Sequence, residues 1–265
     1  MKKILLTLII SATIGIVHAQ NVNIPDPIFK AVLVGNSAIN TNGDAEIQVT
    51  EATAFGGTIF CASLGISDLT GIEAFTALTE FYCFENQLDS LNLSQNSALT
   101  TLWCYENQLD SLNVSQNPAL TTLWCSNNQL SSLNLSQNNS LGDLNCAFNQ
   151  LTLLDVANGN NTNMSNFYAN NNPNLFCVDG DDVAWSTNNW TNIGVQTYFN
   201  TNCQAPPTTY VPDNNFENYL EANGMGDGIA LNDYVYTSAI DTATILSVSN
   251  LFISDLTGVE DMVSL

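Results

Sequence analysis

The chain has 265 residues, with 25 acidic side chains against three Lys and Arg together, one His and a net charge of −22. So acidic a chain offers no cationic surface to nucleic acid and can form almost no salt bridges. Stability has to come from apolar burial, hydrogen bonds, disulfides or bound cations.

The first 19 residues read as a signal peptide. Lys2 and Lys3 are followed by an apolar run, Ile4 to Val17, and Ala19 stands at the expected cut. The run is too short for a membrane span. No Cys follows the cut, which argues against a lipoprotein anchor. The expectation is a secreted or cell-surface protein with no membrane span in the mature chain. His18, Lys2 and Lys3 leave with the peptide, so Lys30 is the one basic side chain of the mature chain. That excludes His-based triads and His metal sites.

Residues 20–60 read as an N-terminal cap. "NIPDPIFKAVLV" predicts a short helix from about Asp26, with Ile28, Phe29, Val32 and Leu33 as its apolar face. "NTNGDAEIQVTE" then resembles an EF-hand loop. Its oxygen donors are Asn40, Asn42, Asp44, Glu46 and Gln48, with Ile47 at the eighth place and Glu51 at the twelfth. Asn40 replaces the usual Asp, and Ala45 replaces the Gly of the sharp turn. A weak calcium site and a plain polar turn are both open.

Repeats dominate residues 61–176. "LTEFYCFENQL", "LTTLWCYENQL" and "LTTLWCSNNQL" start at Leu78, Leu99 and Leu120, 21 residues apart. A fourth block starts at Leu141, a looser fifth at Met164, and one precedes them around Cys61. Such a block cannot bury its own apolar face, so the blocks must stack with their short strands parallel. Alternation sends Leu102 and Cys104 inward and Thr101, Trp103 and Tyr105 outward. Leu109, Leu112 and Val114 complete the interior of that coil. Cys61, Cys83, Cys104, Cys125 and Cys146 read as five buried thiols. Asn86, Asn107, Asn128, Asn149 and Asn172 form an inward column suited to backbone groups that water cannot reach.

Residues 177–203 leave the repeat and read as a C-terminal cap, with a Cys177–Cys203 disulfide across it. The pair Asp181 and Asp182 reads as solvated surface or as cation ligands. Residues 204–209 are a Pro- and Thr-rich linker. Residues 210–265 repeat the beginning at an offset of 187: "VPDNNFENYL" matches "IPDPIFKAVL", and "ISDLTG" occurs at Ile66 and at Ile253. A second capped array is expected to start there, and the chain reads as a fragment of a longer one.

The L-x-x-L-x-C-x-x-N-x-L pattern resembles the leucine-rich repeat family, in particular secreted bacterial proteins of the internalin-like kind. The resemblance covers about residues 61–177, with Cys at the third apolar place as a departure. It implies an α/β-type leucine-rich repeat solenoid of short parallel strands with little helix. It also implies that partners bind the concave sheet.

The outward columns give the candidate site. One reads Tyr82, Trp103, Trp124, Asn145, Tyr168; its neighbour reads Phe84, Tyr105, Ser126, Ala147, Asn170. The first three rings are expected to form a flat exposed strip about 10 Å long. Glu80, Thr101, Thr122 and Asp143 flank it. Such a strip suits an extracellular protein or a glycan, with no catalysis; a scaffold ladder is the bland alternative. The rival class is a polysaccharide-acting enzyme on a parallel β-helix, with Glu85 and Glu106 as its carboxylate pair. One strand signal per block and the lack of Lys or Arg in the array oppose it. Thr101 and Thr122 are too few for an ice-binding face.

Overall fold

A computed structural model of the chain describes residues 20–203, 208–229, 231 and 233–265. Residues 1–19, read above as a signal peptide, and most of the expected linker, 204–207, lie outside the described residues. Each coil contributes a three-residue strand: β1 (Thr58–Phe60), β2 (Glu80–Tyr82), β3 (Thr101–Trp103), β4 (Thr122–Trp124), β6 (Asp143–Asn145) and β8 (Asn166–Tyr168). They form a six-stranded parallel sheet in the order β1-β2-β3-β4-β6-β8. The register is that of the repeat: Phe60, Tyr82, Trp103, Trp124, Asn145 and Tyr168 lie side by side.

The return half of the coil adds strands to the one per block that the sequence signals. In the later coils it forms strands: β5 (Ser132–Asn134), β7 (Leu153–Asp155), β9 (Cys177–Asp179) and β10 (Tyr198–Asn200) make a second parallel sheet. Helix is confined to the ends. Apart from single 3₁₀ turns, no described residue of the coils between 61 and 176 is helical. This is a leucine-rich-repeat-type solenoid, with two strand-bearing sides in its C-terminal half.

Leu102, Cys104, Leu109, Leu112 and Val114 are buried, as are most of their counterparts in the other coils, Leu91 being partly buried. Main-chain groups that turn inward meet the asparagine column. The Asn128 amide nitrogen donates to the carbonyls of Cys104 and Cys125, both at 3.1 Å, and its carbonyl accepts from Leu109 N at 3.0 Å. Asn107 and Asn149 repeat these bonds one coil away. A second ladder, hidden in "SQN", runs along the return side. Asn96, Asn117 and Asn138 are fully buried, and each donates to carbonyls of the preceding coil.

Between strand and ladder asparagine the chain must turn left-handed. Ser63, Glu85, Glu106, Asn127, Phe148 and Asn171 all have φ between 53° and 58°. The amides of the first five still donate to the next coil, as Glu106 N does to Ser126 O at 3.0 Å. The bend therefore extends the inter-coil ladder while it aims the next side chain inward.

At the N-terminus, Asp26 accepts from Ile28 N and Phe29 N and starts α1 (Pro27–Val34). Phe29 and Leu33 are buried and Val32 packs on the core, but Ile28 is 42 % exposed. It sits in the first turn, outside the face that meets the coils. The second Asp26 oxygen accepts from Ser67 N at 3.1 Å, tying the cap to the first coil. Gly71 must be Gly: its φ is 106°, and a Cβ would lie 2.8 Å from Asn23 O. The same joint recurs downstream. Asp213 starts α4 (Asn214–Ala222), accepts from Ser254 N at 2.7 Å, and Gly258 has φ 101°. The residues from Val211 to Met262 form an apolar cluster separate from that of Val22 to Phe199. At the other end, Cys177 and Cys203 are disulfide-bonded, with Cα atoms 5.7 Å apart. The remaining five cysteines are buried thiols.

A left-handed residue with a Cβ is strained by about 1–2 kcal/mol unless it is Asn or Asp. Glu106→Asn is therefore expected to stabilise the protein by about 0.5–1 kcal/mol, and Glu106→Val to destabilise it, in urea unfolding.

Candidate functional site

The outer face of the six-stranded sheet carries six rings in mutual contact. Trp103 and Trp124 stack with centroids 4.4 Å apart and planes 5° from parallel, and Phe84 and Tyr105 stack at 4.5 Å and 9°. Tyr82 meets Trp103 edge-on at 4.9 Å. Phe60 joins the cluster through Tyr82 and Phe84 at 5.9 and 5.7 Å. Phe60 was missed in the sequence, although it precedes Cys61 as Tyr82 precedes Cys83.

The rings do not form the flat exposed strip expected from the sequence. In-register side chains on strands about 4.8 Å apart pack face to face. The stacked rings therefore turn their faces to one another and their edges to solvent. Tyr82, Phe84, Trp103, Tyr105 and Trp124 are half-buried rather than exposed. A sugar ring cannot lie flat along the stacked pairs, because the faces they turn to each other are covered.

The flanking acids hold the rings. Glu80 accepts from Thr58 Oγ1 at 2.8 Å and from the Tyr82 hydroxyl at 3.3 Å. Asp143 accepts from Trp124 Nε1 at 3.0 Å and from Asn166 Nδ2 at 3.2 Å. Thr101 and Thr122 stand in register between them. Trp103 Nε1, by contrast, is buried without a hydrogen-bond partner. Burial raises the phenol pKa of Tyr105, and the charges of Glu85 and Glu106 raise it further. Burial and the Glu80 charge do the same to Tyr82.

The ladder ends abruptly. Beyond Trp124 comes Asn145, whose Oδ1 accepts from Ala147 N at 3.2 Å. Beyond Tyr105 come Ser126 and Ala147, both small and buried. Tyr168, one strand past Asn145, is 39 % exposed and stacks on none of these rings. Among the described residues no ring stacks on the Trp124 face toward Asn145 and Tyr168.

The cysteine column has no nucleophile. Cys61, Cys83, Cys104, Cys125 and Cys146 are fully buried, and burial pushes the thiols of Cys61, Cys104 and Cys146 up to about 12. Asp182 caps α3 (Val183–Asn189) through Trp185 N, and Asp181 accepts from Asn161 N. Both aspartates therefore have structural partners.

The loop from Asn40 to Glu51 also closes on itself. Glu51 is buried; one of its oxygens accepts from Thr41 N, Thr41 Oγ1 and Asn42 N, and the other from Gln48 N. Asn40 Oδ1 accepts from Gly43 N and Asn42 Oδ1 from Asp44 N. Asp44 Oδ1 accepts from Glu46 N, and Asp44 Oδ2 takes the amides of Asn42 and Gln48. Glu46 pairs with Lys30 at 2.6 Å. A calcium ion needs these same oxygens turned to one point. Among the described residues no group of three or more His, Cys, Asp or Glu converges for a metal. The donors do not fit calcium in this arrangement, and Glu51 instead secures α2 (Val49–Ala54) to the loop.

The chain is similar to the functional domain of InlJ from Listeria monocytogenes, described as including a cysteine ladder. Identity is 32 % and the TM-score 0.49, over 62 % of this chain and 39 % of that one. It is also similar to internalin C2 (15 %, TM-score 0.42, 69 % and 91 % covered) and to internalin inlF (16 %, 0.43, 65 % and 57 %) of the same species. The chain spans well under half of the InlJ domain it matches. No family model and no curated protein matches the chain. No described helix is long and apolar enough to cross a membrane.

The loop makes two predictions. Titration with millimolar calcium should give no binding heat and no shift in melting temperature. Burial alone would raise the carboxyl pKa values of Asp26 and Glu51, but the donated hydrogen bonds outweigh it and hold them below their ordinary 3.8 and 4.5. Their stabilisation is complete above those ordinary values and lost as pH falls through the lower folded ones. Melting temperature should therefore be flat at neutral pH and fall below about pH 4. Glu51→Gln should lower it at pH 7 and make the acid fall shallower.

Proposed function

We propose that the protein is a secreted or cell-surface recognition module that binds an extracellular protein or glycan on the aromatic face of its six-stranded sheet, without catalysis. The carrying observation is the ring cluster. Six aromatics sit on the side of the sheet away from the core, while Leu and Cys on the opposite side already fill the interior. Half-exposed aromatic clusters of this extent mark interaction surfaces. The disulfide suits export to an oxidising compartment. Against an enzyme, Glu85 and Glu106 are exposed on the left-handed bends, and Glu85 is bonded to Ser63 Oγ. Neither is enclosed in a cleft that would tune a carboxylate for acid catalysis.

The test is the double change Trp103→Thr, Trp124→Thr in the chain from residue 20 onward. Threonine keeps strand propensity, so folding should survive with a loss of about 1–3 kcal/mol from two cross-strand pairs and one stack. Partners found on a glycan array and an extracellular-protein panel should lose binding by tenfold or more, about 1.4 kcal/mol. Unchanged binding with lowered stability would make the rings scaffold.

A further inference from the structure

We propose that the gap above Asn145 is a slot for an arginine side chain of a basic partner protein, a reading that rests on the recognition function above. The aromatic column runs Phe60, Tyr82, Trp103, Trp124, skips at Asn145, and resumes at Tyr168. At about 4.8 Å per strand, Trp124 and Tyr168 are about 10 Å apart. That spacing admits one planar group at stacking distance from both. The slot has a built floor: Asn145 lies beneath it, and the buried Ser126 and Ala147 replace the rings that fill the neighbouring column at Phe84 and Tyr105.

The wall is fixed before any ligand arrives. Trp124 is stacked on Trp103 through one face and tethered through Nε1 to Asp143. Its other face has no ring against it among the described residues. The missing element is therefore a flat group in the register of the ladder.

Charge selects the group. Asp143 stands at the foot of Trp124, and Glu106 borders Tyr105 one coil back. The mature chain has a single basic side chain, Lys30, already paired with Glu46. A guanidinium is planar, stacks on aromatic faces and pairs with carboxylates. Lysine shares the charge but not the plane. A sugar ring draws nothing from the negative field.

The test uses a Gly-Ser peptide with one arginine, and the same peptide with citrulline or with lysine. Each is titrated into the chain from residue 20 onward and followed by tryptophan fluorescence and two-dimensional NMR. The arginine peptide should bind about tenfold or more tightly than the other two, and more weakly as salt rises. Asn145→Phe places the protein's own ring in the slot; it should abolish arginine binding while melting temperature stays level or rises. Tyr168→Ala removes the exposed far wall and should also abolish binding, with the fold intact whatever Asn145→Phe does. Equal binding of citrulline and arginine, arginine binding that survives both variants, or no binding of the arginine peptide overturns the proposal. Saturable quenching by a neutral oligosaccharide in its place would make the gap a glycan slot and overturn it too. If the arginine peptide fails while the Trp103→Thr, Trp124→Thr protein still loses a panel partner, the recognition reading stands and only the arginine slot falls.

Discussion

The inward asparagine is the interaction on which the rest depends. A coil of 21 residues with three-residue strands leaves many main-chain groups facing an interior without water. A buried, unpaired peptide group costs about 1–3 kcal/mol, so such a coil is stable only with an internal donor and acceptor at each turn. Asn128 supplies both, to Cys104, Cys125 and Leu109, and so joins two coils through one side chain. The left-handed residue before each ladder asparagine is a consequence. Glu85, Glu106 and Phe148 take a conformation unfavourable to them because the next side chain must point inward.

That constraint makes the outer face available. With the core satisfied by Leu, Cys and Asn, the outward positions are released from packing, yet they are held at strand spacing by the same coils. The rings therefore stack whether or not a ligand is present. A pre-ordered stack that is interrupted at Asn145 differs from a generally greasy surface: its ring column breaks at one register position, between Trp124 and Tyr168. The acids on this face work on two levels. Asp143 and Glu80 fix ring orientation through hydrogen bonds, and together with Glu85 and Glu106 they set a uniformly negative field.

Much of this was legible in the sequence because the fold is nearly one-dimensional. A period of 21 determines the columns, so the buried thiols, the first asparagine ladder, the neighbours of Trp103 and the recurrence at offset 187 follow from counting. Ring orientation was not legible, since it depends on side-chain torsions and not on register. The second ladder escaped because Asn96, Asn117 and Asn138 stand in a stretch rich in exposed Asn and Ser, where composition does not mark which one turns inward. The sequence leaves calcium and a polar turn both open at residues 40–51 for a chemical reason. Asn, Asp and Glu serve equally as cation ligands and as acceptors for turn amides, and here the amides of Thr41, Asn42, Gly43 and Gln48 take them. The same double use appears in Asp26 and Asp213, which start a helix with one oxygen and hold the first coil with the other.

The most direct test of the ladder compares Asn128→Ala with Asn127→Ala by equilibrium urea unfolding. The two residues are adjacent, but Asn127 is exposed on the bend and Asn128 is buried. Removing Asn128 orphans the Leu109 amide and takes one of two asparagine donors from the Cys104 and Cys125 carbonyls, which keep Asn107 and Asn149, so it should destabilise by about 2–4 kcal/mol, against about 1 kcal/mol for Asn127. Equal losses at the two positions would contradict the account, because the coils would then be held by apolar burial and strand pairing alone.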